Sequence, residues 1–256
     1  MKSKILITSL TSCSGCTGLI FTLDIFKQFL EMAEITYFPF LKDEDTIEEN
    51  DIAIIEGCVS EIEQESQVKL LKEIRKKSKR VYALGTCATH GGILSLNSEK
   101  QGSPIANFID IEGMIPGCPP PLKLMGNALI NILENKPIML SEKNMCNSCI
   151  LRDNLKSLST VKIEKLMPDK PMNWKEFPNC FLNDGILCLG PITREGCEST
   201  CIKLGIPCEG CMGSISQDFT SSLINFLSLI KISDDLRKYE GIYYRFSRPK
   251  IKWSVK

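Results

Sequence analysis

The sequence predicts an α/β protein in which a doubly wound parallel sheet precedes a smaller, cysteine-rich domain with little regular structure. In the first half, short apolar runs typical of buried strands alternate with segments of helical periodicity, a pattern that favours a parallel sheet. After Pro137 that periodicity fades, and eight of the thirteen cysteines recur among Gly, Pro and Asn. We therefore predict two domains, residues 1–138 and 139–256.

The elements of the first domain follow one another along the chain. Nearly continuous apolar runs predict strands, and the Met-Ile-Pro segment before Cys118 supplies a fifth strand end. Periodic apolar positions predict the helices; in the first helix, Leu19, Leu23, Phe26 and Leu30 form one stripe. The strands are residues 4–10, 35–40, 51–56 and 80–85, and the helices are residues 18–32, 62–79 and 122–133.

The second domain is predicted to contain an irregular loop at residues 167–178 and a closing helix at residues 216–231. The apolar side of that helix carries Phe219, Leu223, Phe226, Leu227 and Ile230. The tail, residues 239–256, is aromatic and basic, which suits either a surface segment or a docking segment for a partner.

Composition excludes several classes of function. The 256 residues include 31 Lys and Arg and 31 Asp and Glu, so the chain has no electrostatic footprint for nucleic acid or anionic lipid. No apolar run approaches the ~20 residues that span a bilayer, and the first apolar run is too short for a signal peptide. We therefore expect a cytoplasmic protein, a setting in which grouped cysteines usually bind metal or perform redox chemistry.

Cysteines follow the predicted strands of the first domain. Cys13 and Cys16 come after the first strand, Cys87 after the fourth and Cys118 after the fifth. Because the carboxyl ends of parallel strands meet at one edge, these thiols should converge there. The segment Cys-Ser-Gly-Cys-Thr-Gly also stands where a nucleotide-binding fold would carry its phosphate loop. The edge is thus predicted to be a metal-cluster site rather than a set of ordinary buried thiols.

Two further residues near this edge leave alternatives open. Cys58, after the third strand, is either a spare core thiol or a replacement for one of the other ligands, and we favour the spare thiol. His90 follows Cys87 at a Cys-x-x-His spacing that zinc sites use, but a lone histidine beside two glycines is more often packed or solvated.

The remaining eight cysteines suit two more four-thiolate sites. A sequential division is the simplest, although two-cluster proteins can interleave their ligands. Zinc would also suit the Cys-x-x-Cys pairs. The additional single cysteines and the flanking Gly and Pro favour iron–sulfur clusters, because backbone N–H groups could then approach cluster sulfurs. The two sets are Cys146, Cys149, Cys180 and Cys188, and Cys197, Cys201, Cys208 and Cys211.

Several motifs in this order resemble the small subunits of nickel–iron hydrogenases. In the first half these are T-S-C-S-G-C, I-I-E-G-C-V-S, A-L-G-T-C-A-T-H-G-G-I and P-G-C-P-P. In the second half, C-L-G-P-I-T-R-E-G-C-E-S-T-C and G-I-P-C-E-G-C-M-G resemble the soluble branch, which includes sulfhydrogenase delta subunits and methyl-viologen-reducing hydrogenase small subunits. The resemblance extends from Lys4 to about Asp218.

The resemblance implies a flavodoxin-like first domain and three 4Fe–4S clusters. The positions matching the proximal ligands are Cys13, Cys16, Cys87 and Cys118. The set beginning at Cys146 matches the distal site, with Cys146 standing where many small subunits have a histidine. The set beginning at Cys197 matches the medial site, to which Cys201 adds a fourth thiolate.

The resemblance also implies what the chain does. Hydrogen would be split at a nickel–iron centre on a partner large subunit, so no catalytic residue is expected in this chain. Electrons would pass through the proximal, medial and distal clusters to a further subunit carrying flavin or iron–sulfur clusters. Glu56 and Ser14, beside the proximal ligands, would tune the cluster, help to move protons, or simply be polar groups of the edge.

Two alternatives remain. One is a non-hydrogenase iron–sulfur subunit related to complex I; such chains usually carry adjacent cysteines in the first motif and lack the eight-cysteine extension. The other is a zinc-bound interaction module without a redox role.

Overall fold

A five-stranded parallel sheet organises the first part of the chain. Its strands are β1 (Ser3–Ser9), β2 (Ala33–Tyr37), β3 (Asn50–Glu56), β5 (Ser78–Leu84) and β7 (Gly113–Ile115), and a separate antiparallel pair is formed by β4 (Val59–Ser60) and β6 (Gly102–Ser103). Neighbours in the large sheet follow the order β2-β1-β3-β5-β7. Counting only these five strands, the order is 2-1-3-4-5, which is the flavodoxin-like arrangement.

Helices cover both faces of this sheet. Successive strand residues point to opposite faces, so Ile52 and Ile54 pack in one core cluster with Leu129, whereas Ala53 and Ile55 pack in another. The predicted doubly wound α/β fold is therefore confirmed. The helices of this part are α1 (Gly15–Ile20), α2 (Phe26–Met32), α3 (Gln64–Lys77), α4 (Gly85–His90) and α5 (Leu122–Leu133).

The predicted helix at residues 18–32 is wrong in its middle, because the chain forms α1 and α2 with a turn between them. The N–H and the hydroxyl of Thr22 both donate to the carbonyl oxygen of Leu19, at 3.0 and 2.9 Å. These bonds reach back three residues instead of four, so the α-helical ladder stops there. The predicted apolar stripe also fails at Leu30, which is 38% exposed, whereas Phe29 is buried.

The structure is a computed structural model that describes residues 2–41, 46–96, 101–154, 157–169, 179–215, 219–234 and Ser247. Their contacts divide into two compact units: the first runs to Met139 and takes in Ser247, and the second begins at Leu140. Most of the predicted loop at 167–178 and nearly all of the tail at 239–256 lie outside the described residues.

Short 3₁₀ turns and loops dominate the second unit, in keeping with the predicted lack of regular structure. Its regular elements are α6 (Thr200–Lys203), α7 (Phe219–Leu229) and a parallel pair of strands, β8 (Lys162–Ile163) and β9 (Lys231–Ile232). The predicted closing helix is present as α7, with Phe226 buried and Leu223 and Leu227 packed against the core. The unit has its own apolar core, which includes Phe181, Leu182, Leu189 and Phe226 together with the buried cysteines Cys188 and Cys208.

Across the parts of the chain that the structure describes, no helix combines the length and the hydropathy that a bilayer crossing requires.

The central strand β3 should carry much of the stability of the first unit. We expect Ile54→Ala to lower the free energy of unfolding by about 2–5 kcal/mol, because Ile54 is fully buried and the substitution leaves a cavity. Ile62→Ala is the matched control: Ile62 is 66% exposed, and its truncation should change stability by less than about 0.5 kcal/mol. Chemical denaturation followed by circular dichroism measures both, and equal losses would contradict the core position of Ile54.

Candidate metal-cluster sites

The carboxyl edge of the sheet gathers the cysteines of the first unit. Cys13 and Cys16 lie between the end of β1 and the first turn of α1, and Cys87 lies in α4 directly after β5. Cys118 follows β7. Cys16 is buried, Cys87 is half-buried, and Cys13 and Cys118 are exposed. Three separate segments of chain therefore bring four thiols to one edge, as the strand pattern predicts.

These thiols are close enough to influence one another's ionisation. Burial raises the pKa of the Cys16 thiol most, and the charges of Glu56, Cys87, Cys118 and Cys13 raise it further. The pKa of Cys87 is raised to about 12, first by burial and then by the charge of Cys58, with smaller effects from Cys118 and Cys13. Thiolates are therefore unfavourable here unless a cationic centre compensates their charge, which is what iron in an iron–sulfur cluster does.

Two glycines let the backbone approach these sulfurs. Gly85 has φ +79°, and a Cβ atom there would lie 2.4 Å from the Cys16 Sγ. Gly92 has φ +63°, and a Cβ atom there would lie 2.6 Å from the Cys87 Sγ. Both positions thus require glycine for its conformation and for the space that the sulfur occupies. A donor set of thiols surrounded closely by backbone fits an iron–sulfur cluster.

Glu56 supports the same edge from the end of β3. Its carboxylate accepts hydrogen bonds from the N–H groups of Cys16, at 3.2 Å, and Thr17, at 2.8 Å. These bonds attach the first turn of α1 to the central strand. Ser14, just before that turn, has φ 60°, and its N–H donates to the Ser12 hydroxyl at 3.2 Å.

Cys58 is fully buried and its thiol lies 3.6 Å from the Thr11 carbonyl oxygen, to which it donates. A Cβ atom on Gly102 would come within 2.9 Å of the same sulfur, so the thiol is tightly packed. The hydrogen bond to the backbone and the close packing favour our interpretation of Cys58 as a spare core thiol, which remains a prediction.

His90 ends α4, and its Nδ1 lies 2.6 Å from the Thr89 hydroxyl. Among the described residues, no three His, Cys, Asp or Glu side chains are near enough to one another to hold a single metal ion. A 4Fe–4S cluster has a different requirement: it binds one thiolate at each of four irons, so its ligand sulfurs stand farther apart than around one zinc ion.

The second unit brings together the cysteines of the first predicted set. The pKa of Cys146 is raised to about 12 by burial and then by Cys149 and Cys180, whereas Arg152 opposes the shift. The pKa of Cys188 is also raised to about 12, by burial, with Cys146 and Cys180 contributing. A Cβ atom on Gly190 would lie 3.2 Å from the Cys146 Sγ and 3.6 Å from the Cys188 Sγ. The four thiols of this set therefore occupy one neighbourhood.

The second set lies beside the first. Burial raises the pKa of Cys201, with Cys197 adding to the effect, and burial raises that of Cys208, with Cys188 and Cys211 adding. The N–H of Cys208 donates to the Cys188 Sγ at 3.4 Å, so one hydrogen bond joins a member of each set. The division into two sets remains a prediction, since the interactions between thiols cross it.

Sequence reasoning missed several residues of these sites. Thr193 is buried, and its hydroxyl donates to the Leu189 carbonyl at 2.7 Å. The same side chain lies beside Cys208 and opposes the rise in the pKa of that thiol. The roles of Gly85 and Gly92 were likewise not predicted, although glycines beside Cys87 in the motif were a usable signal.

Known proteins match the chain along nearly its whole length. A subunit of the F420-non-reducing hydrogenase (vhu) of Methanocaldococcus jannaschii is 32% identical over 88% of this chain and 87% of its own length. The chain belongs to the family of nickel–iron hydrogenase small subunits. The corresponding subunit of Methanococcus voltae is 30% identical over 97% of this chain and 96% of its own length. A relative from Archaeoglobus profundus, 27% identical over 97% of each chain, is described as an iron-sulfur subunit of an F420-non-reducing hydrogenase.

Two other comparisons concern the fold and the first unit of this small subunit. The family model described as NADH ubiquinone oxidoreductase, 20 Kd subunit, matches residues 13–132. The [NiFeSe] hydrogenase structure from Desulfovibrio vulgaris Hildenborough superposes with a TM-score of 0.65, at 18% identity, covering 90% of this chain and 98% of that chain. That likeness supports the α/β fold.

Gly85 provides a test of the first site in this hydrogenase small subunit. Gly85→Ala should lower the iron bound per chain, because the added methyl group would displace the Cys16 sulfur and alanine disfavours φ +79°. Gly18→Ala is the matched control, since a Cβ atom there meets nothing within 4 Å. Iron analysis of anaerobically purified protein measures the difference between the two variants. An unchanged iron content in Gly85→Ala would contradict the view that the close approach of Gly85 to the Cys16 sulfur is needed for iron binding.

Proposed function

We propose that this chain is the electron-transferring small subunit of a nickel–iron hydrogenase that works in the cytoplasm. It relays electrons between the nickel–iron site of a large subunit and a further redox subunit carrying flavin or iron–sulfur clusters. Hydrogen chemistry belongs to the large subunit in this proposal, and this chain contributes ligands rather than catalytic groups.

The proposed cofactors are three 4Fe–4S clusters. When bound, such a cluster accepts and donates one electron at a time. The proposed ligands are Cys13, Cys16, Cys87 and Cys118 for the proximal cluster, Cys197, Cys201, Cys208 and Cys211 for the medial cluster, and Cys146, Cys149, Cys180 and Cys188 for the distal cluster.

The observation that supports this function most strongly is the grouping of the first four thiols. They come from three separate strand ends, and the charges of Cys13, Cys87 and Cys118 all act on the buried Cys16. Packing alone gives no reason to gather two exposed thiols, one half-buried thiol and one buried thiol at the same edge, where their ionised forms repel one another. A positively charged centre makes the same arrangement favourable.

The chain's own residues prepare the sulfurs to act as ligands. Backbone N–H groups point at several of them: that of Leu151 donates to the Cys149 Sγ at 3.4 Å, and that of Cys208 to the Cys188 Sγ. Such bonds favour the thiolate form and tune the potential of a centre bound there. Apolar packing around Cys188 and Cys208 excludes water from the same region.

The partners follow from the proposed role. A small subunit without hydrogen-splitting groups needs a large subunit that carries the nickel–iron site, and the relatives are named as subunits of hydrogenases. The partner beyond the distal ligands must be a one-electron or two-electron acceptor. The Cys146 side of the second unit is open enough to meet such a partner, because Cys146 lines a surface cavity together with Lys143, Arg152 and Pro191.

A non-hydrogenase subunit related to complex I is the second candidate, since the matching family model carries that description. The match ends at residue 132, however, and the eight cysteines between Cys146 and Cys211 lie beyond it. Relatives that include this extension are named hydrogenase subunits. The zinc-bound interaction module is disfavoured because the relatives that match nearly the whole chain are named as hydrogenase subunits, and one of them is described as an iron-sulfur subunit.

Metal analysis of the native complex tests the proposal directly. Protein purified without oxygen should be brown, should contain about twelve irons per chain of this type, and should carry a nickel-containing large subunit. Stoichiometric zinc in a colourless, partner-free chain would refute the proposed function.

Paired cysteine variants test the assignment of ligands. Cys87→Ser should remove up to about a third of the iron, because it deletes one proposed ligand of one cluster in three. Cys58→Ser should retain the full amount, since this thiol is assigned to the core. Iron content and visible absorption measure the effect of both substitutions. If only Cys58→Ser lost iron, Cys58 would be the ligand and Cys87 the core thiol, contrary to the proposal.

A further inference from the structure

Glu56 is a charged group in an apolar place. It ends the central strand β3, and only 1% of its surface is exposed. Within the described parts of the chain, no lysine or arginine forms an ion pair with it. An ionised carboxylate in such a position is costly unless hydrogen bonds compensate it. The partners that the structure provides are the N–H groups of Cys16 and Thr17.

Both oxygens of the Glu56 side chain act as acceptors. One carboxylate oxygen accepts from the N–H of Cys16 and the other from the N–H of Thr17. A neutral side chain such as serine or asparagine can also accept hydrogen bonds from the first turn of a helix. Holding the first turn of α1 therefore does not require a charged residue at this position. The charge of Glu56 must have a different use.

The carboxylate of Glu56 lies beside the proximal site. Its Oε1 is 3.2 Å from the backbone nitrogen of Cys16, one of the proposed ligands, so the carboxylate and a centre bound there would be close neighbours. A buried negative charge repels other negative charges nearby, because little water lies between them to screen the interaction. An electron arriving at a centre held by these sulfurs is likewise an added negative charge, so it meets the same repulsion.

We propose that Glu56 sets the reduction potential of the proximal centre: its buried carboxylate holds that potential below the value that the same four thiolates would have beside a neutral residue. Glu56 is thus a positioning residue, which acts through Cys16 and through its field and touches no substrate. The inference rests on the proposed function, because it requires a redox centre bound by Cys13, Cys16, Cys87 and Cys118. The low potential makes this centre a stronger electron donor.

The test compares Glu56→Gln with the unaltered protein in the intact, anaerobically purified complex. Gln keeps the size of the side chain and removes the charge. Redox titration followed by electron paramagnetic resonance should show the proximal signal, identified as the one lost in Cys87→Ser, reduced more easily. We expect at least a tenfold higher ratio of reduced to oxidised centre at a fixed potential, which is 59 mV for a one-electron couple. An unchanged ratio with the cluster intact would overturn the inference.

Asp51→Asn is the matched control. Asp51 lies in the same strand at its other end, where it accepts hydrogen bonds from the Lys79 ammonium group, at 2.7 Å, and from the Lys4 N–H, at 2.9 Å. It undergoes the same loss of a carboxylate but lies at the amino end of β3, so the proximal potential should not move. A shift as large as that of Glu56→Gln would show that the effect is not local.

Glu56→Asp separates charge from shape. Asp retains the charge but is one methylene shorter. The ratio of reduced to oxidised proximal centre at a fixed potential should therefore stay within threefold of the wild-type ratio, even if the hydrogen bonds weaken. An upward shift in Glu56→Asp as large as the one expected for Gln would assign the effect to hydrogen-bond geometry and overturn the proposal. If Glu56→Gln fails to assemble, Glu56→Asn replaces it in the same titration, because Asn and Asp have the same size and differ in charge; equal ratios in Glu56→Asn and Glu56→Asp would overturn the proposal.

Metal analysis distinguishes the two possible failures. If the unaltered complex lacked iron, the proposed function would fail. If it held its clusters and Glu56→Gln left the proximal potential unchanged, only the inference on Glu56 would fail.

Discussion

Ionised thiolates repel one another, and burial strengthens that repulsion. In both units the cysteines face this constraint: the pKa of Cys87, Cys146 and Cys188 is raised to about 12 in each case, with burial as the first cause. The fold nevertheless assembles them from distant segments and holds them with backbone hydrogen bonds and closely approaching glycines. The architecture is intelligible if a positively charged cofactor balances the sulfurs, and the rest of the site is arranged around that balance.

Much of the fold was predictable because the first unit obeys local rules. The strand that contains Ile52 and Ile54 is apolar on both faces, and α5 begins and ends at the predicted residues. The helix predicted at residues 18–32 failed because periodicity does not reveal where a hydroxyl diverts a hydrogen bond, as that of Thr22 does. The exposure of Leu30 likewise depends on where α2 lies against its neighbours, and spacing alone contains no such information.

The candidate sites, like the fold, could be predicted from the sequence only in part. Strand ends and Cys-x-x-Cys spacing were enough to bring Cys13, Cys16, Cys87 and Cys118 to one edge, because the geometry of a parallel sheet does the rest. The contacts around the cysteine sulfurs of both units were not predictable. The approach of Gly85 to Cys16 in the first unit and that of Thr193 to Cys208 in the second bring together residues that are distant in sequence, so only the folded chain reveals them.

One contact in the second unit has an evolutionary consequence. The donor that links Cys208 to the Cys188 sulfur is a main-chain N–H, so no exchange of side chains around it can delete the link. Divergence of the surrounding sequence can change the loops and the charges of the unit while this connection between Cys188 and Cys208 persists. The two cysteines therefore keep their mutual position across a wider range of sequences than a link between two side chains would allow.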